Sequence, residues 1–73
     1  MNYQDHIEIN PEIRFGKPCI KGTRISVFDI LSWLSQGMST KDIIADFPQL
    51  KEVDVLATLA YSADKERKIK VSV

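Results

Sequence analysis

The stretch SVFDILSWLSQGMSTKDIIADFPQLKEVDVLATLAYSADK, residues 26–65, decides the fold: apolar residues recur in it at helical spacing, and Gly37 and Pro48 cut it into three. Val27, Ile30, Leu31 and Leu34 stand at i, i+3, i+4 and i+7, which is one face of a helix over about Val27 to Gln36, with Phe28 at the edge of that face. Ser26 suits the N-cap, and Asp29 lies in the first turn, where a carboxylate meets the positive end of the helix dipole. Gly37 sits where a helix end wants a left-handed residue. Ser39, with Asp42 three residues on, opens a second helix over about Thr40 to Phe47 whose apolar face is Ile43, Ile44 and Phe47. Pro48 stops it, because the residue before a proline is pushed out of helical geometry. A third helix begins near Glu52 and reaches about Lys65, with Val53, Leu56, Ala57 and Ala60 as its inner stripe and Val55, Leu59 and Ala63 as a second contact surface. The links Gly37 to Ser39 and Pro48 to Lys51 are too short for a long parallel bundle. Three helices so linked must cross steeply around one small core, the arrangement in which helix-turn-helix motifs occur.

Residues 1–26 read differently. His6 to Ile9 and Glu12 to Phe15 alternate polar and apolar, as short strands do, with Asn10-Pro11 as a turn between them and Gly16-Lys17-Pro18 as a break. Cys19-Ile20 and Arg24 to Ser26 are extended candidates on either side of Lys21-Gly22-Thr23. An isolated two-stranded sheet is weak in water, so this β arm is expected to pair with another subunit or to pack on the helices. The expected architecture is therefore one mainly α domain: a β arm over 1–26, a three-helix core over 27–65 and a tail over 66–73.

Size and composition narrow the class. A chain of 73 residues buries only roughly 60% of its unfolded surface, so its core needs a staple or a partner. One cysteine, Cys19, allows no internal disulfide, and one histidine, His6, allows no Cys/His zinc set, so no metal or cofactor is expected and self-association to a homodimer is. With 44% hydrophobic and 27% charged residues the chain is an ordinary globular domain, and its zero net charge means that any nucleic-acid contact must come from a local basic patch. The start shows no basic segment followed by an apolar run, and no apolar run is long enough to span a bilayer, so a cytoplasmic protein is expected.

Three blocks carry a resemblance: Phe15-Gly16-Lys17-Pro18-Cys19-Ile20-Lys21-Gly22-Thr23-Arg24-Ile25; then Gly37-Met38-Ser39, Asp42-Ile43-Ile44 and Asp46-Phe47-Pro48-Gln49-Leu50; then Leu59-Ala60-Tyr61. Over roughly Ile9 to Ala63 they are similar to the short bacterial family called domain of unknown function 433. Its pattern is a G-K-P-x-I-x-G-T-R arm, a G-x-S-x-x-x-I-x-x-x-[YF]-P-x-L segment and a helix with A-L-x-Y. The resemblance implies a homeodomain-like helix-turn-helix fold, usually dimeric. It also implies an antitoxin of a type II toxin–antitoxin pair, one that binds and silences a PIN-like ribonuclease toxin and can repress its own operon by binding operator DNA. Family members often continue as an acidic helix, whereas this chain ends in Lys65-Glu66-Arg67-Lys68-Ile69-Lys70-Val71-Ser72-Val73.

The residues offer several candidate contacts. Between Ile13 and Phe28 stand Arg14, Lys17, Lys21 and Arg24 and no acid at all, and with Gly16, Pro18, Gly22 and Thr23 they make a cationic loop. Such a loop can contact phosphates or dock on an acidic surface, while a solvated hairpin would use the same glycines for its turns. Arg14 and Arg24 are the expected partners for a nuclease's metal-binding acids, and Arg24 has the alternative of bracing the fold through a carboxylate. The third helix is the recognition helix by position, yet Glu52 and Asp54 open it, and carboxylates are repelled by phosphates. Thr58 and Tyr61 are its better contacts, and Lys41 and Lys51 would join the arm if DNA is bound. In the tail, Lys65, Arg67, Lys68 and Lys70 alternate with Ile69, Val71 and Val73, as either an added strand on a partner's sheet or a frayed end. Trp33 lies away from the first helix's apolar stripe, as an interface anchor or a core-edge residue.

Catalytic readings are weak, and no enzyme is expected. Gly16 to Gly22-Thr23 has the wrong spacing for a phosphate-binding loop, and Cys19 with His6 lacks a third orienting group. Asp42 and Asp46 share a helix face, more often a solvated face than a metal site. Two rivals to the antitoxin remain: a stand-alone DNA-binding regulator, and a protein-interaction domain that touches no nucleic acid.

Overall fold

The computed structural model describes residues 2–70, with the side chains of 2–66. Strand β1 (Ile7–Glu8) pairs antiparallel with β2 (Cys19–Ile20), in the register Ile7 to Ile20 and Glu8 to Cys19. Three helices follow, α1 (Val27–Ser35), α2 (Thr40–Asp46) and α3 (Glu52–Lys70). The expected class, mainly helical with three helices after a short β arm, is what the chain adopts.

Helices α1 and α2 start on the same reciprocal chemistry, and α3 on half of it. At α1 the Ser26 hydroxyl accepts from the Asp29 N–H at 2.9 Å, and the Asp29 carboxylate accepts from the Ser26 N–H at 3.1 Å. At α2, Ser39 and Asp42 repeat the exchange at 3.1 and 2.9 Å. Such reciprocal boxes satisfy two N–H groups that the first turn leaves without helical partners. At α3 only half of the box exists: Asp54 accepts from the Lys51 N–H at 2.9 Å, but Lys51 has no side-chain acceptor to return the bond. Helix α1 closes on Gly37 at φ 97°, with Gly37 N–H bonded to Leu34 O at 3.0 Å and Met38 N–H to Trp33 O at 3.1 Å, the left-handed ending that glycine favours.

The arm packs on the helices through its isoleucines. Ile7, Ile20 and Ile25 join Val27, Ile30, Ile43, Leu50, Val55 and Ala57 in one core. The chain folds back on both edges of β2: Lys21 N–H donates to His6 O, and Ile20 N–H to Ile25 O, each at 2.9 Å. Both helices α1 and α2 contact α3, and the N-terminal turn Tyr3–Asp5 lies against α3. Trp33 is half-buried and stacks on Phe47 at 4.4 Å, so it is a core-edge residue that ties α1 to α2.

Three expectations need correction. Glu12 to Phe15 is not a strand. Asn10 takes over, its side chain accepting from Glu12 N–H and its carbonyl from Ile13 N–H, both at 2.9 Å, and further turn bonds follow to Lys17. On α3 the buried positions are Asp54, Val55, Ala57 and Thr58, while Leu56 and Leu59 are exposed. The expected inner stripe was turned relative to the real one because α3 is apolar on both sides, and small side chains at 57 and 58 let it lie closest to the core. Finally, α3 continues to Lys70 instead of stopping near Lys65, so the added-strand reading fails through Lys70; residues 71–73 lie outside the described ones. Among the described residues no helix is long and apolar enough to cross a membrane.

Candidate partner-binding face

The site is built on an unusual turn. Arg14, Phe15 and Gly16 all have positive φ, 52°, 59° and 83°. Only glycine adopts this region freely, so the two non-glycine residues carry strain of about 1–3 kcal/mol each, held in place by the structure around them. What holds them is Arg14: its Nη1 donates to the Arg24 carbonyl at 2.8 Å and to Asp29 Oδ2 at 3.0 Å. One guanidinium thus ties the turn both to the end of the arm and to the cap of α1.

Asp29 is therefore fully engaged. Burial pushes its carboxyl up, but the Ser26 N–H, the Arg14 guanidinium and the Ser26 hydroxyl together hold it below the ordinary aspartate range. The expectation that Arg14 reaches out to a partner's acids is corrected: its charge is matched within the domain. The bracing role that the sequence left open for Arg24 belongs to Arg14, and Arg24 is exposed.

Opposite the buttress, the same turn throws Phe15 into solvent, 99% exposed. Phe28, on the first turn of α1, is 68% exposed and not at the edge of the core face. Lys17 Nζ stands 6.0 Å from the Phe28 ring, and a cleft of about 260 Å³ is lined by Lys17, Pro18, Ser26 and Phe28. Lys17, Lys21 and Arg24 are exposed. Lys17 and Phe28 thus share one cleft, and Phe15 and Arg24 are exposed on the turn and arm that Arg14 ties to the neighbouring Asp29.

The other candidates are dispersed. Thr23 is half-buried and serves the turn, its hydroxyl donating to Ile20 O at 2.9 Å and accepting from Ile25 N–H at 3.0 Å. Lys21 and Lys51 line a separate cleft together with Asp5, His6 and Asp54. Tyr61 and Lys65 line a third with Tyr3 and Ile9; the Tyr3 and Tyr61 rings meet edge to face at 5.4 Å, and Lys65 Nζ lies 5.3 Å from the Tyr61 ring. There Tyr3 donates to Asp64 Oδ2 at 2.6 Å, and that bond raises the phenol above its ordinary range. Lys41 is exposed on α2 and lines none of these clefts. Thr58 is corrected outright: it is fully buried, so it offers no surface for a contact. The side chains of Arg67 and Lys68 lie outside the described ones.

The outer face of α3 presents Glu52, Leu56, Leu59 and Ala63, all exposed, a poor match to phosphate. Cys19 is buried in the core, where burial raises its thiol above the ordinary range, and His6 Nδ1 contacts Asp54 Oδ1 at 3.5 Å. Asp42 caps α2, and the Ser39 N–H lowers its carboxyl. Among the described residues no group of three or more His, Cys, Asp or Glu side chains is placed to hold a metal.

Sequence reasoning missed Phe15 and Phe28. A bulky residue directly before Gly16 was the available signal for Phe15, but alternation in Glu12 to Phe15 hid it. Helical spacing put Val27 on the inner face and Phe28 at its edge; only the packing shows that Phe28 lies outside the core altogether.

Comparison with known proteins agrees with the arrangement. The chain is similar over 94% of its length to a protein from Anabaena variabilis whose crystal structure at 2.00 Å resolution is that of a DUF433 member; the TM-score is 0.81 at 29% identity, and 68% of that chain is covered. No curated protein matches. The family model for protein of unknown function DUF433 matches residues 7–62, from β1 to well into α3. The chain belongs to the DUF433 family.

Proposed function

We propose that this chain is an antitoxin-like binding module that docks its arm on an acidic protein surface, the partner being the PIN-like ribonuclease toxin that the family resemblance implies. The observation that carries the reading is the arm turn: Phe15 stands fully in solvent beside exposed Lys17 and Arg24, while Arg14 neutralises the nearby acid. Aromatic and arginine side chains dominate the energetics of protein interfaces, because they bury large area and make forked bonds to carboxylates. A nuclease that holds metal ions with carboxylates offers such a surface. Arg24 pairing with those acids, and Phe15 seated in an apolar recess beside them, would exclude both metal and RNA without any chemistry from this chain. A strained turn braced by Arg14 also lowers the ordering cost of docking.

The test is co-expression with the product of the neighbouring reading frame, which on this proposal encodes a PIN-like nuclease. The wild-type chain is expected to co-purify with it and suppress its ribonuclease activity, and Arg24→Glu to lose both while remaining folded. Undiminished inhibition by Arg24→Glu, or no complex with the wild-type chain, would overturn the reading. Operator binding is the subordinate part of the proposal; a mobility shift with upstream DNA that weakens steeply with salt would support it, and no shift at low salt would remove it.

A further inference from the structure

The N-terminal turn Tyr3–Asp5, strand β1 and the second half of α3 meet at a cleft of about 300 Å³, lined by Tyr3, Gln4, Ile7, Ile9, Tyr61 and Lys65. That volume is at the small end of the roughly 300–1,000 Å³ that ligand pockets occupy. Its aromatic walls are fixed from within the domain. The Tyr3 hydroxyl donates to Asp64 Oδ2 at 2.6 Å, and the Tyr3 ring meets the Tyr61 ring edge to face at 5.4 Å and 86°. Ile7 is held in the core, whereas Ile9 is left 60% exposed. We infer that this cleft binds a small aromatic monocarboxylate, its ring against the tyrosines and isoleucines and its carboxylate on Lys65.

Charge decides the sign of the ligand. Among the lining residues Lys65 alone is charged. Its Nζ stands 5.3 Å from the Tyr61 ring, and among the described residues it makes no ion pair. The face of an aromatic ring is where such clefts hold a ligand's ammonium group. Here the chain's own lysine fills that place, so a cationic ligand is repelled and an anion is drawn to the free side of the ammonium. One lysine is a point charge without the fork of an arginine, and it matches a single carboxylate better than a phosphate dianion, which calls for several donors. Asp64 follows Tyr61 on α3 but is not in the lining, and its carboxylate accepts the Tyr3 hydroxyl.

The walls decide the other half of the ligand. Two tyrosine rings set at right angles offer a third ring offset or edge-to-face contact, which adds to simple burial. A ring seated beside Ile9 also covers apolar surface that the fold leaves in water. Because Tyr3 is tied to Asp64 and packed on Tyr61, few side chains need ordering when the ligand enters, which favours binding at a small site. None of the lining residues belongs to the Arg14–Gly16 turn or to the cleft at Phe28. The inference therefore stands independently of the docking proposal.

Titration of the isotope-labelled full chain with indole-3-acetate, followed through its amide NMR shifts, tests the site. Shifts are expected to cluster at Tyr3–Ile9 and Tyr61–Lys65, with a Kd at or below about 1 mM. The neutral indole-3-acetamide should bind about three- to fivefold more weakly, the scale of one part-exposed ion pair. Tryptamine, which reverses the charge, and hexanoate, which keeps the charge without the ring, should both bind more weakly than indole-3-acetate. Lys65→Gln should bring the acid and the amide to equal affinity, and Ile9→Glu should abolish binding of the acid; the amide spectrum of each variant shows that it is folded. No shifts at millimolar indole-3-acetate, shifts centred on Phe28, equal binding of tryptamine or hexanoate, or a preference for acid over amide that survives Lys65→Gln would each overturn the inference.

Discussion

Arg14 turns its guanidinium inward, and much of the arm follows from that one choice. The Arg24 carbonyl and the Asp29 carboxylate receive it at 2.8 and 3.0 Å. Removing it as Arg14→Ala should destabilise the fold by about 1–2 kcal/mol in urea melts, because a charge-assisted bond and a backbone bond are lost together from a part-exposed site. Asp29 makes the same contact pH-dependent. Its carboxyl is held below the ordinary range, so its share of stability is complete above the unfolded aspartate value and is lost as pH falls through the lower folded value. Acid titration of stability should therefore show a loss in that window that Asp29→Asn reduces, the remainder coming from Asp42, whose carboxyl its own cap also lowers. Phe15 is the counterpart: its backbone is left-handed at φ 59° while its ring touches solvent. Phe15→Asn, a residue that tolerates this conformation, should keep or raise the melting temperature while weakening partner docking at least about tenfold. Were the variant to melt much lower, the ring would be a packing residue after all. The sequence left a bracing role open for Arg24, not Arg14; which arginine meets Asp29 depends on the path of the chain between them.

At the scale of elements, the three helix starts form a natural series. Ser26–Asp29 and Ser39–Asp42 exchange both bonds, and Lys51–Asp54 exchanges one. Lys51→Ser should complete the third box and raise stability by about 0.5–1 kcal/mol, whereas Ser39→Ala should cost about 1 kcal/mol, both read from chemical denaturation. The two complete boxes were legible from Ser and Asp at the right spacing. The third was not, because Lys51 carries no capping side chain and Asp54 reads as an acidic residue of a recognition helix. In the structure Asp54 is buried, caps α3 and meets His6. The same element shows the limit of periodicity: with apolar residues at 53, 55, 56, 57, 59, 60 and 63, two faces satisfy the count, and the core selects the one with the smaller side chains.

For the molecule as a whole, stability at roughly 0.05–0.15 kcal/mol per residue gives about 4–11 kcal/mol for 73 residues. Ile43 is wholly buried where α2 meets the core, and Ile43→Ala, at a cost of about 2–5 kcal/mol, should leave a chain near or past its threshold, seen as a lowered or missing thermal transition. Order along the chain, helix count and the position of each break were set by the sequence itself, because caps, glycine and proline act through bonds within a few residues. The rotation of α3 about its axis, the inward turn of Arg14 and the exposure of Phe15 and Phe28 were decided only by tertiary structure. They depend on which surfaces, distant in the chain, come to share one small core, and local spacing holds no record of that.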